Sequence, residues 1–236
     1  AMVRLGLMLS LSSIVTLLVG YGMQLFISGM GGLAQVGLYN AGFLILNTYV
    51  GLIFTAMGTD YFPRLSSVGE DLDKTKMIVG NQAEMATLLM LPIIVIFLAL
   101  APWIITLLYT PEFEAVVPLV RWGILGMLFK AVSFSLGYVI IARGDSSLFL
   151  RTTLSFNLIL FTLNALGYYY WGLLGLGLSF FGYYIIHFLS LILIVRWRYA
   201  LTLPRTLYAV FFLGLILCVL VFLLSSFSGS VLQIAL

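Results

Sequence analysis

Apolar residues in this chain come in long windows separated by short polar turns, and the windows are too long for the alternation of strands. A bilayer core takes about 20 apolar residues per helix. Windows of that size fall at Leu5 to Ser28, Val36 to Met57, Met85 to Tyr109, Val116 to Ala142, Leu148 to Tyr170, Leu173 to Val195 and Leu207 to Leu224. The pattern predicts an all-α, polytopic membrane bundle of about seven transmembrane helices. The turns alternate in kind. Arg64, Lys74 and Lys76 follow the second window, Arg143 and Arg151 flank the turn after the fourth, and Arg196, Arg198 and Arg205 follow the sixth. The turns around GMGGLAQ, YTPEFEA and YYYWG carry no Lys or Arg. Because Lys and Arg collect on the cytoplasmic side of spans, this alternation places the basic turns and the N-terminus in the cytoplasm and the C-terminus outside.

One stretch, TAMGTDYFPRLS at residues 55 to 66, sits on the boundary between the two solvents. It puts Asp60 and Arg64 at the cytoplasmic mouth of the second span, where Pro63 is expected to end the helix without breaking a bond inside lipid. From Glu70 to Glu84 a short polar surface helix is expected before the chain re-enters the membrane.

Composition sharpens the solvent assignment. The chain is 63% hydrophobic and only 8% charged over 236 residues, with a mean hydropathy of +1.19, against about 25% charge in ordinary globular chains. Eleven Lys and Arg and eight Asp and Glu cannot clothe a soluble exterior, so lipid must be the solvent. The net charge of +3 then says little about nucleic acid, which is not expected as a partner. The single cysteine, Cys218, excludes an internal disulfide. Ala1 and Met2 read as a tag remnant, and no cleavable signal is expected because the first apolar window is too long for one.

Polar groups inside spans are costly, so their placement is informative. Ser13, Thr16, Gly20 and Gln24 share a face of the first span; Asn40, Asn47, Gly51 and Gly58 share one of the second; Thr153, Asn157 and Asn164 share one of the fifth. The fourth adds Gly123, Gly126, Lys130, Ser133 and Gly137, and the sixth Ser179, Tyr183 and His187. The third span, expected to kink at Pro92, and the seventh show almost no polar face. This predicts a bundle in which spans one, two, four, five and six turn inward and spans three and seven face lipid. Such stripes also serve plain helix packing and interhelical hydrogen bonding, and His187 alone can be a helix contact. Lys130 stands apart. At 1.5 Å per residue it lies about 18 to 20 Å from either end of its span, beyond the reach of a snorkelling lysine, and a charge there costs about 3 kcal/mol. A cavity in which Lys130 meets an anionic group accommodates it, as does a structural pairing or a neutral amine. The candidate cavity residues are therefore Lys130, Gln24, Asn40, Asn47, Asn157, Asn164 and His187. Asp60, Arg64, Glu84 and Arg143 are the candidates for a cytoplasmic gate.

Catalytic signatures are missing. No paired carboxylates lie within the spans, no HExxH or second histidine offers a metal site, and no phosphate loop is present. No cofactor or metal is expected, and an enzyme is the minority reading.

Several runs carry a family likeness. GLAQVGLYNAGFLILNTYVGLIFTAMGTDYFPRLS, the NQAE that opens the third span, IARGD at the end of the fourth and WGLLGLGLS between the fifth and sixth resemble the second half of a bacterial polysaccharide flippase of the O-antigen type. That family belongs to the multidrug/oligosaccharidyl-lipid/polysaccharide exporter superfamily, shared with multidrug and toxic compound extruders and lipid II flippases. The likeness runs from Leu5 to about Leu224 and is most specific over Gly37 to Ser66. It implies two six-helix lobes around a central cavity, alternating access, and a polyprenyl-diphosphate-linked oligosaccharide as cargo whose anion Lys130 could meet. On that map residues 1–4 are a tail, residues 5–198 form the six-helix C-terminal lobe, and residues 199–236 add a helix and a short outside tail. Gly37, Tyr39, Asp60, Pro63, Arg64 and Arg143 match the recurring family pattern and are expected to be hinge and cytoplasmic gate residues. Such flippases run to about twice this length, so the expected partners are the bilayer, the lipid-linked oligosaccharide, and an N-terminal lobe or a second copy of the chain. The expected location is the bacterial inner membrane. Ion-coupled drug efflux would favour a membrane-buried carboxylate, and none lies mid-span. A membrane glycosyltransferase or ligase would need large outside loops, and the longest is about ten residues. A structural assembly subunit would leave Lys130 without a task.

Overall fold

The structure, a computed structural model, describes the backbone of residues 2–234 and the side chains of residues 6–226. Ala1 of the expected tag remnant and the last two residues of the outside tail lie outside the described residues, as do the side chains of Met2 and Arg4. The elements are α1 (Met2–Leu44), a π-helical turn (Ile45–Tyr49), α2 (Leu52–Ser67), α3 (Leu72–Leu108), a 3-10 turn (Pro111–Val116), α4 (Val117–Ala142), α5 (Ser146–Tyr199) and α6 (Arg205–Ile234). No strand forms among the described residues. Five segments are long and apolar enough to cross a membrane: 6–67, 72–108, 111–142, 146–199 and 205–226. The chain is an all-α membrane protein.

Two of the long helices fold back on themselves. Gly32 interrupts α1 with φ 78° and Gly172 interrupts α5 with φ 58°, a left-handed backbone that glycine adopts without a Cβ penalty. Contacts across each break show a hairpin. Gln24 Nε2 donates to Asn40 Oδ1 at 3.1 Å and Ser179 Oγ donates to the Leu163 carbonyl at 2.7 Å, although 16 residues of straight helix would hold either pair about 24 Å apart. Both breaks fall in turns that separate apolar windows in the sequence. The other connections are short. Asp71 caps α3 by accepting from the Lys74 N–H at 3.0 Å, a bond that holds its carboxyl below the ordinary carboxylate range. Asp145 caps α5 in the same way through the Leu148 N–H at 3.2 Å.

Two local expectations are corrected. The segment from Glu70 to Glu84 forms no separate surface helix, because α3 runs without a break from Leu72 to Leu108 and its first turns supply the polar piece. Pro63 does not end its helix either, as α2 continues to Ser67; the carbonyl that Pro63 leaves unbonded belongs to Thr59, which is exposed and can take water. Pro92 lies inside α3, which continues on both sides of it.

The expected order of faces is also overturned. One side of α3 is fully buried, through Val79, Ala83, Ala86, Met90, Ile94, Leu98, Ala101 and Ile105, at the i, i+3, i+4 spacing of a packed helix face. α3 packs between α4 and α6, while α5 covers another side of α4 and α1 lies against α5. Of the most apolar stretch in each segment, 72% is buried around α4 and only 11% in the N-terminal segment. The physical reason is that lipid is as apolar as a protein core, so lack of polarity does not mark a lipid-facing helix.

Within this core Tyr61 fixes α2 to α4. It is fully buried and its hydroxyl donates to the Ser135 carbonyl at 2.8 Å. Tyr61→Phe is expected to lower stability by about 1 kcal/mol, the usual net worth of such a bond, read as a lower unfolding midpoint in detergent; an unchanged midpoint would show that this bond holds nothing.

Candidate functional site

A run of depressions lies among α1, α2, α4 and α5. At one end a 600 Å³ cavity is lined by Gln24, Tyr39, Asn40, Phe43, Asn47 and Tyr109, among others. Tyr39, Phe43 and Asn47 also line the next, a 440 Å³ cavity that adds Thr16, Asn157, Asn164, Tyr183 and Tyr184. Beyond lies a 270 Å³ cavity with Ser133, Thr152, Thr153, Phe156 and His187, sharing Phe134 and Tyr138 with a 380 Å³ cavity beside Phe54, Gly58 and Thr59. The series thus extends from Tyr109, beside the acidic turn, to Thr59, next to Asp60.

Lys130 lines none of these cavities and sits behind the walls of two of them. Its Nζ lies 5.3 Å from the Phe54 ring centre and 5.4 Å from that of Tyr184, so the wall residues of two different cavities hold it by their aromatic faces. Cation–π contacts of this kind are worth about 0.5 to 2 kcal/mol, less than the cost of an unpaired mid-span charge. No carboxylate pairs with Lys130 among the described residues. His187 lies nearby, its ring 4.4 Å from Phe156 and 5.6 Å from Tyr183 between centres, with a buried Nδ1 that has no hydrogen-bond partner among the described residues.

The amides divide into two sets. Gln24 and Asn40 bond to each other across the first hairpin, and Asn157 Nδ2 donates to Thr16 Oγ1 at 3.3 Å and to the Thr153 carbonyl at 2.9 Å; these also perform the packing role that amides have in membranes. Asn47, in the π-helical turn, makes no side-chain hydrogen bond among the described residues, and the buried Asn164 Oδ1 has no partner there either. Six of the seven candidate cavity residues therefore line the furrow, with His187, Asn47 and Asn164 retaining capacity toward it, while Lys130 reaches it only through the rings of Phe54 and Tyr184. π-helical turns concentrate at functional positions, consistent with Asn47 projecting into two of the cavities.

The candidate gate residues do not form one cluster. Arg64 pairs with Asp60 at 2.8 Å and donates to Gln82 Oε1 at 3.2 Å, linking α2 to α3. Arg143 donates to Thr75 Oγ1 at 3.3 Å. Glu84 accepts instead from Thr206 of α6, on the side of α3 away from the furrow, in a crevice with Lys76, Gly80 and Pro204. Each joins a different pair of helices, so Asp60, Arg64 and Arg143 brace α3 at one end of the bundle while Glu84 belongs to the α3–α6 contact. The pair Arg198–Asp145, 3.2 Å apart, completes the bracing.

A family model described as a polysaccharide biosynthesis protein matches residues 1–118. The chain belongs to this family. Comparison with curated proteins and with solved structures gave no match. The matched part of this polysaccharide biosynthesis protein contains α1 to α3, with Gln24, Asn40, Asn47, Asp60, Arg64 and Glu84, and stops at the start of α4. Lys130, Arg143, Asn157, Asn164 and His187 lie beyond it. The membership places the chain in polysaccharide biosynthesis, and its helices place it in a membrane.

Residues that the sequence pattern did not single out complete the site. Phe54 and Tyr184 hold Lys130, and their signal was concealed because an aromatic in a lipid-spanning helix reads as plain apolar. Arg121, four residues after the start of α4, donates to the Phe222 carbonyl at 2.9 Å and to Ser225 and Ser226, and lies 4.9 Å from the Phe222 ring centre. It was hidden inside an apolar window, yet it anchors α6.

Proposed function

We propose that this chain moves a polyprenyl-diphosphate-linked oligosaccharide across the bacterial inner membrane for polysaccharide biosynthesis, residues 5–198 supplying the C-terminal lobe and residues 199–236 an added helix. The observation that carries the reading is Lys130, a mid-span cation without a carboxylate partner among the described residues, held by two aromatic rings that are walls of a furrow lined by amides and hydroxyls. A site of this kind offers a net positive charge to an anion and hydrogen bonds to a polyol, which are the two chemical parts of such a cargo. The furrow is open along one side, which suits closure by an N-terminal lobe or a second copy, and translocation follows by rocking of the two halves about the fixed site. The basic turns put the N-terminus in the cytoplasm, so Asp60, Arg64 and Arg143 stand at the cytoplasmic rim.

The reading assigns transport and no bond-making step. The acids nearest the furrow's cytoplasmic end, Asp60 and Asp145, are engaged by Arg64 and Arg198, and neither projects beside the other as a general acid and base would. Native mass spectrometry of the purified chain in mild detergent tests the proposal. The expected result is a two-lobe assembly that retains a polyprenyl-linked glycan. A species carrying only bulk phospholipid would overturn the assignment of cargo.

A further inference from the structure

The 440 Å³ cavity beside Lys130 has the build of a small-ligand site. Its volume lies within the range of about 300 to 1,000 Å³ typical of such sites, and its lining is unusual for a membrane interior. Two of its residues are buried amides, Asn157 at 8% exposure and Asn164 at 4%. Asn157 is bonded to Thr16, but Asn164 leaves its Oδ1 without a partner among the described residues. A buried acceptor without a donor is a cost that a packing role does not explain, since an aliphatic side chain would fill the same space. Amide rotation exchanges the oxygen and nitrogen ends, so Asn164 can offer the cavity either an acceptor or a donor. Around it stand the rings of Tyr39, Phe43, Phe180, Tyr183 and Tyr184.

Aromatic faces carry negative charge density and attract the polarised C–H edges of a ring that lies over them. Amides meanwhile bond to hydroxyls around the rim of such a ring. An acyl chain would satisfy the rings and leave Asn164 orphaned; a phosphate would be repelled by the ring faces. A sugar ring, with C–H faces and a hydroxyl rim, satisfies both.

We propose that this cavity is a saccharide subsite, in which Asn164 bonds a hydroxyl of a sugar unit stacked among Tyr39, Tyr183 and Tyr184. The subsite deepens the transport reading and rests on it for the direction of the cargo. Tyr184 is the wall common to the cavity and to Lys130, whose Nζ lies 5.4 Å from its ring centre. A sugar in the cavity is therefore one aromatic ring away from the Lys130 ammonium, a spacing that suits a sugar and the phosphate that it is linked to. The unit recognised is the one next to the diphosphate.

Saturation-transfer NMR on the full chain in sugar-free lipid nanodiscs tests this, with methyl α-D-glucopyranoside and methyl N-acetyl-β-D-glucosaminide as neutral probes and inorganic pyrophosphate as the anionic one. The wild-type chain is expected to saturate the ring protons of at least one glycoside. Two variants locate the contact. Asn164→Leu removes the amide at constant size and is expected to weaken the glycoside at least fivefold. Gly20→Leu fills the cavity from α1, where a Cβ at Gly20 meets no atom within 4 Å, so it keeps the fold and is expected to abolish the signal. Pyrophosphate binding should survive both changes. No glycoside signal from the wild type, or a signal that Gly20→Leu leaves unchanged, overturns the subsite. Lys130→Ala separates the two readings: it should abolish pyrophosphate binding and leave the glycoside in place. If the wild type takes the glycoside but no pyrophosphate, the anion role of Lys130 falls while the subsite stands.

Discussion

Replacing Lys130 with alanine is expected to cut export of surface polysaccharide by roughly ten- to a hundredfold while the protein remains in the membrane at wild-type amount or above. The estimate follows from the bond that would be lost. A hydrogen bond to a charged group is worth about 1.5 to 3 kcal/mol, and every 1.4 kcal/mol is tenfold. Stability should not fall in parallel, because Lys130 makes no ion pair among the described residues and holds only the ring faces of Phe54 and Tyr184. Removing its charge relieves an insertion cost of about 3 kcal/mol. The pairing of lower export with undiminished membrane protein, read by surface-polysaccharide quantitation beside an immunoblot of membranes, distinguishes a cargo contact from a structural one. Unchanged polysaccharide would remove Lys130 from the mechanism, and export preserved in Lys130→Leu would favour an assembly subunit.

The second large effect is expected at the α5 hairpin. Gly167 and Gly175 face each other across the break at Gly172 so closely that a Cβ on Gly175 would collide with the Gly167 carbonyl. A carbonyl in the backbone of a packed helix cannot rotate away as a side chain can. Gly175→Ala should therefore force the two limbs apart and move Asn164 and Tyr183, which stand on opposite limbs, out of register. Overpacking of this kind costs about 1 to 3 kcal/mol and occasionally more. The control is Gly182→Ala on the same limb, where a Cβ meets nothing within 4 Å. Thermal unfolding in detergent should show a clear fall for the first and none for the second; equal midpoints would mean that the hairpin tolerates separation.

Helix positions were legible in the sequence because hydropathy follows membrane thickness closely, and both hairpins lie in turns that the windows left between them. Lys130 was legible for a related reason, since a mid-span charge has no inexpensive explanation. Which helix lies at the centre was not. Apolarity marks the inside of a soluble protein, but in a membrane Val79, Ala83 and Ile94 of α3 are as compatible with lipid as with the core in which they are buried. The Pro63 and Glu70 to Glu84 expectations failed on a different ground. Pro and charged residues end helices when the freed groups or the charges need water, and at a membrane surface water is already there, so α2 and α3 continue. The division of the amides into bonded and unbonded sets was also beyond the pattern. Asn157 and Asn164 share a helix face, and only the arrival of Thr16 from α1, 141 residues earlier than Asn157, distinguishes one from the other.

The anchoring of Arg121 has a bearing on how the bundle is made. Its partners Phe222, Ser225 and Ser226 emerge from the ribosome about a hundred residues after it, and at 5 to 20 residues per second the guanidinium waits several seconds or more for them. During that interval its hydrogen bonds must come from water or headgroups at the membrane boundary. The last helix thus acts as a closing bolt, since its arrival gives Arg121 the Phe222 carbonyl and two serine hydroxyls in place of those borrowed partners.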